Sequence, residues 1–283
     1  MRKKLALALT SVTALFALTA CGGGNADTPS ANESTPAGEN TVVKVGASAV
    51  PHAQILEFVD DELAEEAGID LEIEEIDDYQ IPNQALTDGS IDANFFQHKP
   101  FFDDQVETKG YKLEHGEGVH LEPLTAFSKK YDKAEEVEDG ATVVINNDPA
   151  NQIRGLKVLE TAGLLKDISD DDTVLSVQDD EAKNPKKLTF NEVQAEQAPK
   201  FYTDDDSVDI AIVNGNYILQ AKLNIEEAIA VEDPKDNPYA NFLTWREGEQ
   251  TDAIKTLDEL LHSDEVKKFI EETWDDGSVI PAF

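Results

Sequence analysis

Short runs of β-branched and apolar residues alternate along the chain with segments in which apolar residues recur at helical spacing. The apolar runs predict strands, which fall at 42–46, 71–76, 124–128, 142–145, 208–213, 229–231 and 242–245, with a further short run at 91–95. The segments of helical period predict helices at 51–68, 82–86, 100–106, 149–163, 254–261 and 266–274, with a short one from Tyr217. Strand–helix alternation of this kind is typical of an α/β fold with mostly parallel sheets.

The N-terminus has a different pattern. Three basic residues are followed by an apolar run over 5–18 and then by Leu18-Thr19-Ala20-Cys21. This predicts a secretory signal peptide at 1–20. Its end resembles the lipobox of bacterial lipoproteins, in which the cysteine is diacylated, and Cys21 is the only cysteine of the chain. We therefore predict a lipid on Cys21, followed by a flexible polar tether over 21–40.

Composition limits the possible partners. The chain carries 59 acidic and 23 basic residues, for a formal net charge of -36. Such a charge repels nucleic acid and anionic lipid headgroups, so nucleic acid is not an expected partner. The acids are spread along the chain, which is typical of a solvated surface. About 240 residues remain after the tether, which is enough for two lobes with their own cores, held by packing without disulfides.

Ligands of open α/β sheets bind beyond the carboxyl ends of strands, so the turns after the predicted strands are candidate binding regions. Three such regions are rich in polar and aromatic residues. The first comprises 78–83 and 94–98, the second comprises 146–151 with Arg154 one turn later, and the third is 214–217. We expect a binding site where these turns meet.

Several of these residues have two interpretations. Arg154 lies in the first turns of a predicted helix, where a guanidinium could clamp a carboxylate in a bidentate manner or pair with one of the many surface acids. Tyr79, Phe95 and Phe96 could line an apolar slot or belong to the core. Asn214 and Asn216 could accept hydrogen bonds from an ammonium group or serve only as turn residues.

Metal binding and catalysis have less support. Imidazoles of His52, His98, His115 and His120, with the carboxylate of Glu122, could ligate a metal, but no His-x-x-Glu-His or Cys-x-x-Cys spacing is present. No Gly-x-Ser-x-Gly elbow, P-loop or dinucleotide glycine fingerprint occurs either. We predict no catalytic residues, no resident metal and no cofactor.

At these same turns the sequence resembles the methionine-binding lipoproteins of the NlpA family, the substrate-binding components of methionine ABC importers. The matching stretches include VGASAVPHAQIL from residue 45, DYQIPNQALTDGSIDANFFQHKPFF from 78, HLEPLTAFSKKY from 120, INNDPANQIRGLKVLETAGLL from 145 and DIAIVNGNY from 209. NPYANFLTWR from 237 and the tail VIPAF also fit. The resemblance covers essentially the whole domain after the tether.

The resemblance implies a two-lobed fold like that of periplasmic binding proteins, with a hinge and a ligand cleft between the lobes. The lobes would comprise 41–125 plus 232–283 and 126–231. Arg154 would hold the ligand's carboxylate, with Asn151, Asn214 and Glu122 as polar partners, the last two nearest the ammonium. The slot for the thioether would be walled by Tyr79, Phe96 and His98. Phe95 and Phe127 stand where the family commonly has tyrosine, which would affect side-chain preference.

The expected function is therefore that of a monomeric receptor, anchored on the extracytoplasmic side of the cell membrane by the lipid on Cys21. It would capture L-methionine and deliver it to a permease with a cytoplasmic ATPase. The alternatives are a receptor for another small amino acid or a dipeptide, and a metal-binding lipoprotein. The latter would require His98 and His120 to converge.

Overall fold

The computed structural model describes residues 40–235 and 237–283. The predicted signal peptide, the predicted lipidation site Cys21 and all of the predicted tether except its last residue lie outside these residues. Within them, none of the helices combines the length and the apolar character needed to cross a bilayer.

The described residues form twelve strands that build two sheets. The strands are β1 Thr41–Ala47, β2 Ile69–Glu75, β3 Ala93–His98, β4 Leu113–His115, β5 His120–Leu121, β6 Thr125–Phe127, β7 Thr142–Asn146, β8 Thr189–Val193, β9 Ile210–Val213, β10 Ala228–Val231, β11 Asn241–Arg246 and β12 Ile280–Pro281. The first sheet has the order β12-β5-β11-β3-β1-β2, with β4 also paired to β11, and the second has the order β10-β6-β9-β7-β8. We call the parts built on these sheets the first and second lobes.

The expectation of mostly parallel sheets is wrong, because both sheets are mixed. Each contains three parallel strands, β2-β1-β3 in the first lobe and β8-β7-β9 in the second. The strands added beside them run antiparallel, namely β11, β5, β12 and β4 in the first lobe and β6 and β10 in the second. The strands that follow the two crossings between the sheets, β6 and β11, run opposite to the parallel strands beside them.

The helices largely follow the predicted pattern. They are α1 Gln54–Val59, α2 Glu65–Ala67, α3 Ile81–Thr87, α4 Lys99–Lys109, α5 Pro149–Thr161, α6 Val174–Gln178, α7 Ala198–Asp204, α8 Gly215–Ala221, α9 Asp252–Leu261 and α10 Asp264–Thr273. A wider helical turn at Asp60–Ala64 links α1 to α2 in the predicted helical segment, whereas the turn at Ala49–Ala53 precedes α1 and contains Val50 in an extended conformation. Gly68 ends that segment with a φ of 76°, a conformation that glycine adopts without steric cost.

Helices cover both faces of the second sheet. Successive residues of a strand point to opposite faces, and β9 is buried throughout, as is β7 from its second residue onward. Val143 and Ile145 join a cluster with Leu156 of α5, whereas Val144 joins a second cluster with Tyr217 of α8. The sheet thereby fixes the starting points of α5 and α8, which both carry predicted site residues.

The chain crosses between the sheets twice within the described residues, after β5 and after β10. The two crossings run side by side, because the backbone N–H of Glu232 donates to the carbonyl oxygen of Leu124 at 2.9 Å. The lobe boundaries given above stay a prediction.

Polar contacts outside these crossings also join the lobes. The Tyr79 hydroxyl of the first lobe donates to Oδ1 of Asn216 in the second at 2.6 Å. In the other direction, the Tyr217 hydroxyl donates to the carbonyl oxygen of Asp77 at 3.0 Å, and Gln220 Nε2 donates to the Asp77 carboxylate at 2.6 Å. The structure therefore has the two lobes in direct contact.

The packing of α5 on the second sheet can be tested with a matched pair of leucines. Leu156 is fully buried in the core of the second lobe, whereas Leu175 on α6 is 83% exposed. Leu156→Ala should lower the free energy of unfolding by about 2–5 kcal/mol, because it leaves a cavity in the core. Leu175→Ala should change that free energy by no more than about 0.5 kcal/mol. Urea unfolding of both variants measures the difference, and equal effects would contradict the described packing.

Candidate functional site

One cavity brings together all seven residues predicted for the site. Its space, including the opening to solvent, measures about 340 Å³. It is lined by Tyr79, Phe96, Gln97, His98, Phe101, Glu122, Asn151, Arg154, Asn214, Gly215, Asn216 and Asn241. The first lobe supplies the residues from Tyr79 to Phe101, and the second lobe supplies Asn151, Arg154 and 214–216. The cavity therefore lies between the lobes.

The parallel strands position most of these side chains. Tyr79 lies in the turn after β2, Asn151 and Arg154 occupy the first turns of α5 after β7, and Asn214 follows β9. Asp148 caps α5, where its carboxylate accepts a hydrogen bond from the backbone N–H of Asn151 at 2.8 Å. The three turns singled out in the sequence therefore meet at the carboxyl ends of strands from both sheets.

Aromatic rings form one wall of the cavity. The rings of Tyr79, Phe96 and Phe101 lie with centroids 5.8–6.0 Å apart, at tilted or edge-to-face angles that aromatic pairs favour. Burial raises the pKa of the Tyr79 phenol well above its usual value, so this hydroxyl stays protonated and donates to Asn216. The aromatic wall is thus hydrogen-bonded to another residue of the cavity lining.

The two phenylalanines that depart from the family pattern do not line the cavity. Phe95 is fully buried in the core of the first lobe, with its ring edge-to-face with those of His52 and His120. Phe127 belongs to the core of the second lobe. The expectation that the missing hydroxyls alter side-chain preference through direct contact has no support in this geometry.

His98 connects the two lobes through a defined tautomer. Its Nδ1 accepts a hydrogen bond from the backbone N–H of Phe101 at 3.2 Å, so the proton of the neutral ring lies on Nε2, which donates to Asn151 Oδ1 at 3.1 Å. Burial and the nearby Arg154 lower the pKa of His98 to about 3. The imidazole is therefore neutral at physiological pH.

The amide of Asn214 takes part in a buried polar network. Asn214 Nδ2 donates to Asn151 Oδ1 at 3.0 Å, and Asn214 Oδ1 accepts from Asn146 Nδ2 at 2.7 Å. An amide oxygen has two lone pairs, so Asn214 Oδ1 retains capacity for one more donor. This is compatible with a role near an ammonium group.

Arg154 is buried, with 3% of its surface exposed, and it is already paired. Its Nε donates to Glu232 Oε1 at 2.8 Å, and its Nη2 donates to Glu232 Oε2 at 2.5 Å and to the carbonyl oxygen of Glu122 at 2.8 Å. The ion pair considered from sequence thus exists, although it is buried and not on the surface. The bidentate clamp through Nε and Nη2 is not available to a ligand, which leaves the two N–H groups of Nη1.

Glu122 provides a second charged group in the cavity. Its Oε1 lies 2.9 Å from His120 Nε2 and 3.3 Å from His52 Nε2. Burial raises the pKa of the Glu122 carboxyl, while the neighbouring His52 and Arg154 act in the opposite direction. Burial lowers the pKa of His52 to about 4 and that of His120 to about 3, so both rings are neutral at physiological pH. His120 Nε2 donates to Glu122 Oε1, whereas His52 Nε2 lies close to that oxygen but has no hydrogen-bond partner among the described residues.

His52, His120 and Glu122 also form a group with potential ligating atoms within 4.8 Å of one another. The histidines that bind metals usually donate their second ring nitrogen to a partner, but Nδ1 of both rings is buried without one among the described residues. The arrangement fits a hydrogen-bonded carboxylate better than a metal centre. His98 contacts Asn151, and it does not join this group as the metal alternative required.

Five residues that line the cavity are not among the seven site residues predicted from the sequence, namely Gln97, Phe101, Gly215, Asn216 and Asn241. Gly215 and Asn216 lie in the predicted 214–217 region, where Asn216 was considered as a partner of an ammonium group. A Cβ on Gly215 would lie 2.5 Å from Glu122 Cβ, which explains the glycine there. Gln97 lies within the 94–98 region and Phe101 follows it, but Asn241 begins the antiparallel strand β11, where the rule about carboxyl ends gives no signal.

Comparison with known proteins gives consistent results. The chain is 39% identical to the methionine-binding lipoprotein MetQ of Bacillus subtilis (strain 168) over 282 residues, which cover 99% of this chain and 98% of that protein. Its structure is similar to that of an ABC transporter periplasmic substrate-binding protein from Coxiella burnetii, with 35% identity, a TM-score of 0.77 and coverage of 85% of this chain and 100% of the other.

A second solved structure, a nutrient-binding protein from Burkholderia cenocepacia bound to methionine, has 33% identity and a TM-score of 0.75, with coverage of 85% of this chain and 100% of the other. The prediction of an α/β fold with two lobes, like that of periplasmic binding proteins, is confirmed by these similarities. The NlpA lipoprotein family model matches residues 43–283. The chain therefore belongs to the NlpA lipoprotein family, which comprises binding proteins and not enzymes.

Proposed function

We propose that this protein is an extracytoplasmic receptor that captures L-methionine between its two lobes and delivers it to an ABC importer. The observation that carries the proposal is the interlobe cavity, where a buried arginine, a buried carboxylate and an aromatic wall surround one small space. The names of the Bacillus and Burkholderia proteins, which refer to methionine, support the choice of ligand.

The charged groups suit the two ends of a free amino acid. The ligand's carboxylate would accept hydrogen bonds from Nη1 of Arg154, and its ammonium would donate to Glu122 and to the spare lone pair of Asn214 Oδ1. Charge-assisted hydrogen bonds of this kind are stronger than neutral ones, especially away from water. They would recognise any α-amino acid, so they define the ligand class.

The aromatic wall would select the side chain. Tyr79, Phe96 and Phe101 offer ring faces and edges to an apolar chain, and sulfur–aromatic contacts are favourable. His98 would complete the slot with a neutral ring. An unbranched thioether fits such a wall because it can adjust its torsions to the rings.

The position of the protein in the cell follows from the predicted lipid on Cys21. The tether over 21–40 would hold a monomeric binding domain near the extracytoplasmic surface of the membrane, within reach of a permease with a cytoplasmic ATPase. The lobes, 41–125 plus 232–283 and 126–231, would close on the ligand by a hinge. Their direct polar contacts agree with a closed arrangement.

Calorimetric titration tests the ligand and the arginine together. Residues 22–283, unfolded and refolded to remove carried-over ligand, should bind one equivalent of L-methionine, with D-methionine titrated in parallel. Arg154→Lys should weaken binding by about 100-fold, because a single ammonium cannot pair with Glu232 and also serve the ligand. Arg246→Lys, far from the cavity, should bind like the wild type. If the protein binds another amino acid or a dipeptide and not methionine, the proposed receptor role stands and the proposed ligand is wrong.

Phe96→Leu tests the side-chain slot separately from the charged groups. Loss of the ring should lower the affinity for L-methionine by about tenfold, in line with the loss of one aromatic contact and its apolar area. L-Alanine, whose methyl group does not reach the slot, should lose little affinity. Competition titrations with both amino acids measure this ratio, and an equal loss for the two would place the ligand's side chain elsewhere.

The pH dependence of binding tests Glu122. Burial raises the pKa of this carboxyl, so on acidification it gains a proton at a higher pH than an ordinary glutamate does. Affinity for L-methionine should therefore fall as the pH is lowered from 7.5 toward that pKa. His52 and His120, with pKa values of about 4 and about 3, do not charge over most of this range. Glu122→Gln should bind L-methionine more weakly, and its affinity should not change with pH over this range. If the affinity of this variant falls with pH as steeply as that of the wild type, Glu122 is not the group that causes the pH dependence.

A further inference from the structure

Glu232 lies where the two crossings between the lobes meet. It follows β10, and its backbone N–H donates to the carbonyl oxygen of Leu124 at 2.9 Å. Its side chain returns to the same residue, since the backbone N–H of Leu124 donates to Glu232 Oε2 at 3.1 Å. The carboxylate is thus fixed by both crossing segments before it contacts any cavity residue.

The same carboxylate holds one edge of Arg154. The contacts from Nε and Nη2 to the two carboxylate oxygens form a bidentate pair, and the side chains of Arg154 and Glu232 are only 4% and 10% exposed. Nη2 uses its other proton for the carbonyl oxygen of Glu122 on the first crossing. Three of the five guanidinium N–H groups are therefore committed to residues of the two crossings.

The face of the guanidinium is fixed as well. Its Cζ lies 4.4 Å from the centroid of the Tyr239 ring, a residue of the second crossing. With one edge and one face fixed, the group has no rotational freedom about its last torsions. Among the described residues no acceptor is paired with Nη1, so its two N–H groups remain for the cavity.

We propose that Glu232 is a positioning residue for ligand binding, which fixes Arg154 so that Nη1 presents its N–H groups to the carboxylate of an amino acid. The inference rests on the proposed function. A long arginine side chain that had to be ordered by the ligand would reduce the net binding energy, and Glu232 removes that cost before the ligand arrives. The ligand's carboxylate then meets a partly neutralised guanidinium in a fixed orientation.

The first test needs no ligand. Residues 22–283 contain two arginines, Arg154 and Arg246, so ¹⁵N spectra of arginine side chains contain one Nε–H resonance from each. In the wild type, the Arg154 Nε–H should exchange slowly with water. Glu232→Gln should accelerate that exchange by about tenfold or more, as expected when a charged hydrogen bond is lost. Arg246, whose Nε donates to Glu249 at 2.6 Å, is the internal control and should not change.

The second test compares L-methionine with L-methioninamide, which lacks the carboxylate. Wild-type protein should prefer the acid, and Glu232→Gln should reduce that preference by about tenfold, the size of a charged hydrogen bond. A general folding defect would lower the affinities for both ligands by the same factor and leave the ratio of the two affinities unchanged. Glu227→Gln removes an equal charge from an exposed position five residues earlier and should keep the wild-type ratio.

The outcomes separate the two proposals. Unchanged exchange of the Arg154 Nε–H in Glu232→Gln overturns the positioning role, whatever the ligand. An unchanged ratio of the two affinities also overturns it. Wild-type protein that binds neither ligand contradicts the proposed function, while the exchange measurement still decides how Arg154 is held. If Glu232→Gln does not fold, Glu232→Asp retains the charge on a shorter side chain and should show the same changes at smaller size.

Discussion

A buried guanidinium has to be compensated, and the way in which Arg154 meets this requirement shapes the centre of the molecule. An isolated charge away from water is strongly unfavourable, so the group needs a paired carboxylate and further acceptors. Here the carboxylate of Glu232 and the carbonyl oxygen of Glu122 come from the two crossings between the lobes. The same ion pair therefore serves the fold, because it links both crossings to α5, and the cavity, because it orients the remaining donors.

The second charged group of the cavity is held in a different manner. Glu122 accepts a hydrogen bond from the neutral ring of His120, and the neutral ring of His52 and the backbone at Gly215 lie close to it. Neutral imidazoles solvate a carboxylate without cancelling its charge, so Glu122 remains available to a cation. The cavity thus has an arginine that is partly neutralised and a carboxylate that is not. This asymmetry favours a ligand with an exposed ammonium group over one with two carboxylates.

Much of this arrangement follows from the sequence, and the exceptions have physical reasons. Asp148 and Pro149 mark the start of α5 through local capping chemistry, so Asn151 and Arg154 could be placed on its first turns. The partner of Arg154 could not be identified, because Glu232 is one of many acids and lies 78 residues away. Short strands such as Leu113–His115 and His120–Leu121 escape periodicity, since two or three residues carry no alternation. Phe95 and Phe96 are adjacent in sequence, yet one belongs to the core and the other to the cavity, which only the face of β3 determines.

The polar contacts that join the lobes beside the cavity have a consequence for timing. Tyr79 with Asn216, and Asp77 with Tyr217 and Gln220, hold the two lobes together beside the cavity. The lobes can separate only when these bonds break, so the dwell time of a molecule between them depends on how often the protein opens as well as on the molecule's own contacts. A membrane partner that pulls the lobes apart would then shorten this dwell time without competing for the cavity, which couples release to docking.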